Sequence, residues 1–312
     1  VYDGDIPGAV MRRLEAMHPG SVVLFANGTE GDVSPAWRPE SRCALPSLGR
    51  VEAFSVPRSV APRYDFIEPD AGRTAACLRE DRADMERLAE AIAQDVNTAA
   101  GSVTLSTTVP VRRAFRTIRL PGHPGLCGDA AAGTSTMGGA EDAVTRLKGW
   151  EPLWPFDALH AVEGGGAARP PKGCHAEKHR INVAQKLVIG EHGAPDVAQF
   201  TVARVGDVLV AAVPAEVTTV AGIRMRDSIA TRGGIPGQAD RVALVNLANG
   251  FLQYVNTAEE YAVQSYEGGS NLYGPGTALA FARVLGALAG KLPAPGQRAP
   301  SPAAPVAPII AY

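Results

Sequence analysis

A chain of 312 residues with 46% apolar content is long enough to fill one large core or two small ones. Its 30 basic and 32 acidic residues nearly cancel to a formal charge of -2, and no Lys/Arg run has the density of a phosphate-tracking surface, which argues against nucleic acid as a partner. No stretch approaches the roughly 18 uninterrupted apolar residues of a membrane-spanning helix.

The opening VYDGDIPGAV carries neither an initiator Met nor a charged-then-apolar signal pattern and reads as a cut end, left by processing or by division of the protein into separate chains. In AVMRRLEAMH, Val10, Met11, Leu14 and Met17 recur at helical spacing, and SVVLFA behind it is an apolar run of strand length. NGTEGDVSPAW, residues 27–37, then packs an Asn-Gly, a second Gly, an acidic pair and a Ser-Pro into one loop beyond that strand's end. Residues 38–80 are rich in Pro, Arg and Ser without clear periodicity and read as a long irregular excursion.

DRADMERLAEAIAQDV, 81–96, sets Met85, Leu88, Ala89, Ile92 and Val96 on one face of an amphipathic helix. The β-branched 102–120 stretch reads as strand interrupted at Pro110, and 121–180 as loop, with Gly-rich AAGTSTMGG and VEGGGAARPPKG; so much loop inside a compact domain points to function or a lid.

Beyond it, AQFTVARVGDVLVAAVPAE predicts two strands hinged at Gly206-Asp207, VTTVAGIRMRDSIATRGG a helix ended by Gly233-Gly234, and RVALVNLAN a buried strand. GFLQYVNT reads as loop, AEEYAVQSYEGGS as a helix-like segment and GTALAFARVLGALAGKL as the final helix. The predicted fold class is α/β, a mixed sheet with flanking helices and long loops. Residues 293–312, Pro/Ala-rich, read as an extended tail.

Cys43, Cys77, Cys127 and Cys174 form no CxxC, so buried thiols and one or two disulfides are both open on spacing alone. His175 and His179 stand four apart, yet Pro170, Pro171 and Gly173 just before them argue against a helix, and they read as surface loop residues. His123 and His160 have no partner at ligand spacing, so a self-contained zinc site is not expected from this chain alone.

Three loops beyond strand ends deliver Ser34, Glu216 and Tyr254, and in open α/β sheets such loops converge. Each residue also has a plain local reading: Ser34 before Pro35 as a turn residue, Glu216 as an acid answering a helix dipole, Tyr254 and Tyr266 as packed aromatics.

Four blocks in order, LFANGTEGDVSP, LCGDAAAGTSTMGG, VGDVLVAAVPAEVTTVAGIRMRDSI and NLANGFLQYVNTAEEYAVQSYEGGSNLYGPGT, together resemble the neutral ceramidase family of zinc-dependent amidases. The last two are the most specific. Family members carry Pro-Gly-Glu-Phe-Thr-Thr-Met before an Arg-rich helix, and later Tyr-x-x-Tyr-Val-Thr-Thr-x-Glu-Glu-Tyr-x-x-Gln-x-Tyr-Glu-Gly with Tyr-Gly-Pro beyond. The resemblance runs from about Asp3 to Leu292 and makes residues 1–292 the C-terminal part of such a catalytic domain, without the family's C-terminal immunoglobulin-like domain.

The resemblance implies Glu216 and Tyr254 as Zn2+ ligands, Tyr266 as the phenol that hydrogen-bonds the oxyanion, and Ser34, in Gly-Asp-x-Ser-Pro, as the catalytic serine. The family's two zinc histidines fall upstream of the point matching Val1, so an N-terminal segment or a second chain is implied as their source. An N-acyl amide or sphingolipid-like substrate is implied too. Cys127 and Cys174 match a pair the family bridges, which would suit a secreted or periplasmic enzyme, with the cytoplasm the alternative.

Thr29, Ala36, Ala215 and Phe251 depart from the family's usual residues at the motif edges, so a different N-acyl amide, or acyl transfer to an amine on the same fold, is the competing activity. The missing histidines leave a non-catalytic binding homologue as the third reading.

Overall fold

The computed structural model describes residues 4–33, 71–104, 108–133, 135–136, 173–178, 180 and 193–293. Ser34, Cys43, His160, His179 and the tail beyond Pro293 lie outside them.

Two units organise the described chain. Helices α1 (Asp5–Met17) and α2 (Ala71–Ala100) pack as a pair. Ala9, Val10 and Leu14 bury against Met85, Ala89 and Ala93, a small core separate from that of the sheet. Small Ala side chains on both helices permit the close approach, and Arg13 closes the polar flank with Nε 2.7 Å from Glu90. The expected face of α2 is thus correct in kind, although Val96 stays exposed and the helix begins ten residues earlier, in what was read as irregular chain.

The second unit is a four-stranded sheet in the order β1 (Val111–Arg119), β2 (Val197–Val205), β3 (Val208–Ala212), β5 (Val242–Val245). The first three strands are antiparallel, and β5 runs parallel to β3. β1 starts directly after Pro110, which lacks the N–H a ladder needs, so the strand does not extend back across it. Gly206, at φ +62°, opens the two-residue turn that pairs Val205 with Val208, as the Gly206-Asp207 hinge predicts.

Alternation along β2 turns Ala198, Phe200 and Val202 inward, and β3 and β5 add Leu209, Ala211, Val242 and Leu244. Two helices cover this face: α3 (Thr219–Arg232), with Met225 and Ile229, and α6 (Thr277–Ala289), with Phe281, Leu285 and Leu288. Phe200 and Phe281 meet edge to face at 4.7 Å between centroids. Each such fully buried side chain contributes about 1.5–3 kcal/mol. The architecture is the expected mixed α/β.

The expected strand SVVLFA is not one. Residues 21–28 adopt no regular secondary structure and join no ladder, with Val22 83% and Leu24 90% exposed. An apolar run becomes a strand only where an edge receives it, and this one meets β5 only at its end, where the Asn246 N–H donates to the Asn27 carbonyl at 2.9 Å.

The expected loop 250–257 contains a short strand. β6 (Tyr254–Val255) pairs in parallel with β4 (Glu216–Val217), which follows β3. Each leads into a helix, β4 into α3 and β6 into α4 (Ala258–Val263). Gln264 at φ +54° ends α4, and the chain restarts as α5 (Tyr266–Ser270), so the helix-like 258–270 segment is two short helices.

Candidate active site

Glu216 and Tyr254 are direct partners in the β4–β6 register. A parallel pair puts opposite residues on the same face, so the carboxylate and the phenol point into one space although thirty-seven residues separate them in the chain. Tyr254 hydrogen-bonds both Glu216 and Tyr266. The Tyr254 hydroxyl thus stands between the Glu216 carboxylate and the Tyr266 hydroxyl. The two rings pack edge to face, 5.3 Å between centroids.

All three groups are partly buried. Desolvation raises the Glu216 carboxyl above its ordinary range, against the hydrogen bond from Tyr254. It also raises both phenols, Tyr254 strongly, because a phenolate there would face a carboxylate. The plain reading of Glu216 as an acid serving the helix dipole does not hold. No acidic residue lies in the first turn of α3, and its first N–H, from Thr219, is capped at 2.7 Å by Asp32 Oδ1, which also accepts from Thr219 Oγ1 at 2.8 Å.

That cap comes from the loop that runs towards Ser34. The Gly31 N–H donates to the Val217 carbonyl at 3.0 Å, so residues 31 and 32 are clamped to β4 and α3. A Cβ on Gly31 would lie 2.9 Å from the Val217 carbonyl carbon, with only backbone to yield. Gly31→Ala is expected to break this clamp, costing about 1–3 kcal/mol by overpacking, seen as a lower urea midpoint at unchanged slope. Ser34 itself lies outside the described residues.

A second knot holds the helix starts together. Thr257 and Glu260 form a capping box on α4, and Glu260 also accepts from Thr218 Oγ1 at 2.8 Å, tying the start of α4 to that of α3.

Behind Tyr266, sequence reasoning missed a buried lysine. Lys178 is 0% exposed, and its Nζ donates to the carbonyls of Ala131 and Gly269, each at 2.9 Å, and of Asn271. Three carbonyls match the three protons of an ammonium, while burial lowers its pKa to about 7. Gly269 lies within α5 and its carbonyl also accepts from the Gly133 N–H at 2.7 Å, so the helix that carries Tyr266 is pinned from behind. His175, expected on the surface, is instead 0% exposed, with Nε2 3.0 Å from the Asp129 carbonyl and its own carbonyl accepting from Tyr261. The reason is the neighbouring bridge: Cys127 and Cys174 form a disulfide, as the resemblance implied, which draws 173–178 inward.

Glu30 and Asn246 were also missed as site residues. Asn246 Nδ2 donates to Glu30 Oε2 at 3.0 Å, and burial, with the charge of Glu216 as a lesser cause, pushes the Glu30 carboxyl up to about 7. Because the folded pKa lies above the unfolded one, this group's contribution to stability is full below about pH 4.5 and is lost as pH rises through about 7. In chelator, the melting temperature of the native chain relative to Glu30→Gln is therefore expected to fall between pH 5 and pH 8. Their sequence signal, an acid beside Gly-Asp, was visible; its partner was not.

The family model described as neutral/alkaline non-lysosomal ceramidase, N-terminal, matches residues 10–283. Among curated proteins, the chain is 35% identical over 154 residues to neutral ceramidase 1 of Arabidopsis thaliana, covering 47% of this chain and 19% of that protein. It is 33% identical over 190 residues to the neutral ceramidase of Pseudomonas aeruginosa, 57% of this chain and 26% of that one. Matches thus span about a quarter or less of these relatives. A solved ceramidase complexed with C2 superposes with a TM-score of 0.60 at 25% identity, over 97% of this chain and 45% of that chain. The crystal structure of the Pseudomonas aeruginosa enzyme, at 24% identity and TM-score 0.55, has the same fold.

Proposed function

The chain belongs to the neutral/alkaline non-lysosomal ceramidase family, and from that premise we propose that residues 1–292 form part of a zinc-dependent amidase hydrolysing the N-acyl amide bond of a ceramide-like substrate. The observation that carries this reading is the Glu216–Tyr254–Tyr266 constellation, a half-buried carboxylate and two phenols in hydrogen-bonded sequence.

The donor set suits a zinc ion. Among the described residues no lysine or arginine forms an ion pair with Glu216 or Glu30, and no cluster of three or more His, Cys, Asp or Glu is present. Burial raises both carboxyls, so a cation bound there would stabilise their ionised forms. Glu216 and Tyr254 would hold the ion, and the remaining ligands, two histidines, come from an N-terminal segment or a second chain. Zinc there supplies a Lewis acid for an amide carbonyl and lowers the pKa of water to about 7.

The chain's own residues do the rest. Tyr266, its pKa raised by burial, keeps its proton and donates a hydrogen bond to the oxygen on which charge develops as the carbonyl is attacked. Lys178 and Gly133 hold α5 so that this donor is preorganised. Ser34 stands two residues past Asp32, whose cap on α3 steadies the approach of the loop, and is the hydroxyl assigned to the carbonyl. The Cys127–Cys174 bridge supports an oxidising compartment, secreted or periplasmic. Among the described residues no helix is long and apolar enough to cross a membrane.

Assay of N-acylsphingosine cleavage by the chain together with its histidine-bearing segment tests the reading. Tyr266→Phe is expected to lower kcat by about 10²-fold or more, at unchanged zinc content and melting temperature. An assembly without zinc, or a phenylalanine variant of full rate, counts against it.

A further inference from the structure

The Glu30–Asn246 pair has a feature that a structural clasp does not explain. Its one hydrogen bond uses Asn246 Nδ2 and Glu30 Oε2. The other two polar atoms, Glu30 Oε1 and Asn246 Oδ1, are buried and have no partner among the described residues. Asn246 is only 4% exposed, so solvent does not satisfy its oxygen. A buried acceptor without a donor costs about 1–3 kcal/mol, and here two occur side by side.

With Glu30 ionised both orphans are acceptors, so what completes them is a donor or a cation. The surroundings favour the cation. Glu30 is held by a backbone bonded at Asn27 to Asn246 and at Gly31 to Val217, the residue after Glu216. The charge of Glu216 reaches Glu30, and no lysine or arginine pairs with either carboxylate among the described residues. Two carboxylates, a phenol and an amide oxygen are an all-oxygen set of the kind that divalent cations accept, zinc binding carboxylate at about 2.0–2.2 Å.

We propose that Glu30, held in place by Asn246, is a further oxygen donor to the cation assigned to Glu216 and Tyr254, so that this chain presents a three-oxygen half-site. The inference rests on the zinc reading above and adds to it a residue that the resemblance does not assign.

The test is calorimetric titration of Zn2+ into the tag-free, chelator-stripped assembly of the chain with its histidine-bearing segment, comparing the native sequence with Glu30→Gln and Glu216→Gln. Glutamine keeps an acceptor for Asn246, so the melting temperature without metal reports whether the fold is preserved. Loss of Glu30 is expected to weaken Zn2+ binding by about tenfold or more, together with the zinc-induced rise in melting temperature. If Glu30→Gln binds like the native chain while Glu216→Gln loses the ion, Glu30 is no donor and the zinc reading survives. If the native assembly takes up no Zn2+, both fall.

Anomalous scattering at the zinc edge from the native assembly gives a readout free of any variant. A peak at ligand distance from Glu30 Oε1 and from Glu216 supports the proposal. A peak at Glu216 alone, or elsewhere, overturns it.

Discussion

Replacing Glu216 by alanine is expected to abolish zinc uptake and amide cleavage together. The residue sits opposite Tyr254 in the β4–β6 pair, so its removal takes away a proposed ligand and also the acceptor for the Tyr254 hydroxyl. Even outer partners of metal ligands are worth about 10–100-fold in affinity, so loss of a ligand costs at least that much. Stability separates this from unfolding. Burial raises the Glu216 carboxyl, which means the metal-free fold disfavours the carboxylate above its ordinary pKa. The metal-free alanine variant should therefore melt close to the native chain at neutral pH, relief of the buried carboxylate offsetting the acceptor lost to Tyr254, while the stabilisation added by zinc disappears. Elemental analysis and melting curves with and without chelator read both effects. Retention of one zinc per assembly in the variant would remove Glu216 from the site.

Loss of the Cys127–Cys174 bridge is the other large effect. It closes a segment of 47 residues, and the chain-entropy estimate for a loop of that length is about 4 kcal/mol. Serine at both positions is expected to lower the melting temperature by roughly 10 °C. The loss should spread to the site, because Cys174 anchors the stretch that carries Lys178, whose ammonium grips the carbonyls of Ala131, Gly269 and Asn271. Amide exchange in residues 266–271 should quicken in the double variant. Equal melting temperatures for reduced and oxidised protein would show that packing alone holds 173–178.

The elements legible in the sequence are those whose signals are local. The period of Val10 and Leu14, the Met85–Ala89 face, the Gly206-Asp207 hinge and the Gly233-Gly234 stop each act within a few residues, and all four occur. The family motif added the ligand candidates, and it carried Glu216, Tyr254 and Tyr266 to a common place. It said nothing of Glu30, which sits within the motif, because the meaning of that carboxylate depends on Asn246, far along the chain.

Local pattern by itself determined which segments are helical or can extend, since helix bonds close within one turn. Tertiary structure alone decided that Val22 and Leu24 stay unpaired, that Gln264 splits α4 from α5, and that Lys178 and His175 go inside. A strand needs a neighbour's edge, and a buried lysine needs carbonyls from distant segments. Those partners exist only once the chain has closed on itself, so no reading of nearby residues contains them.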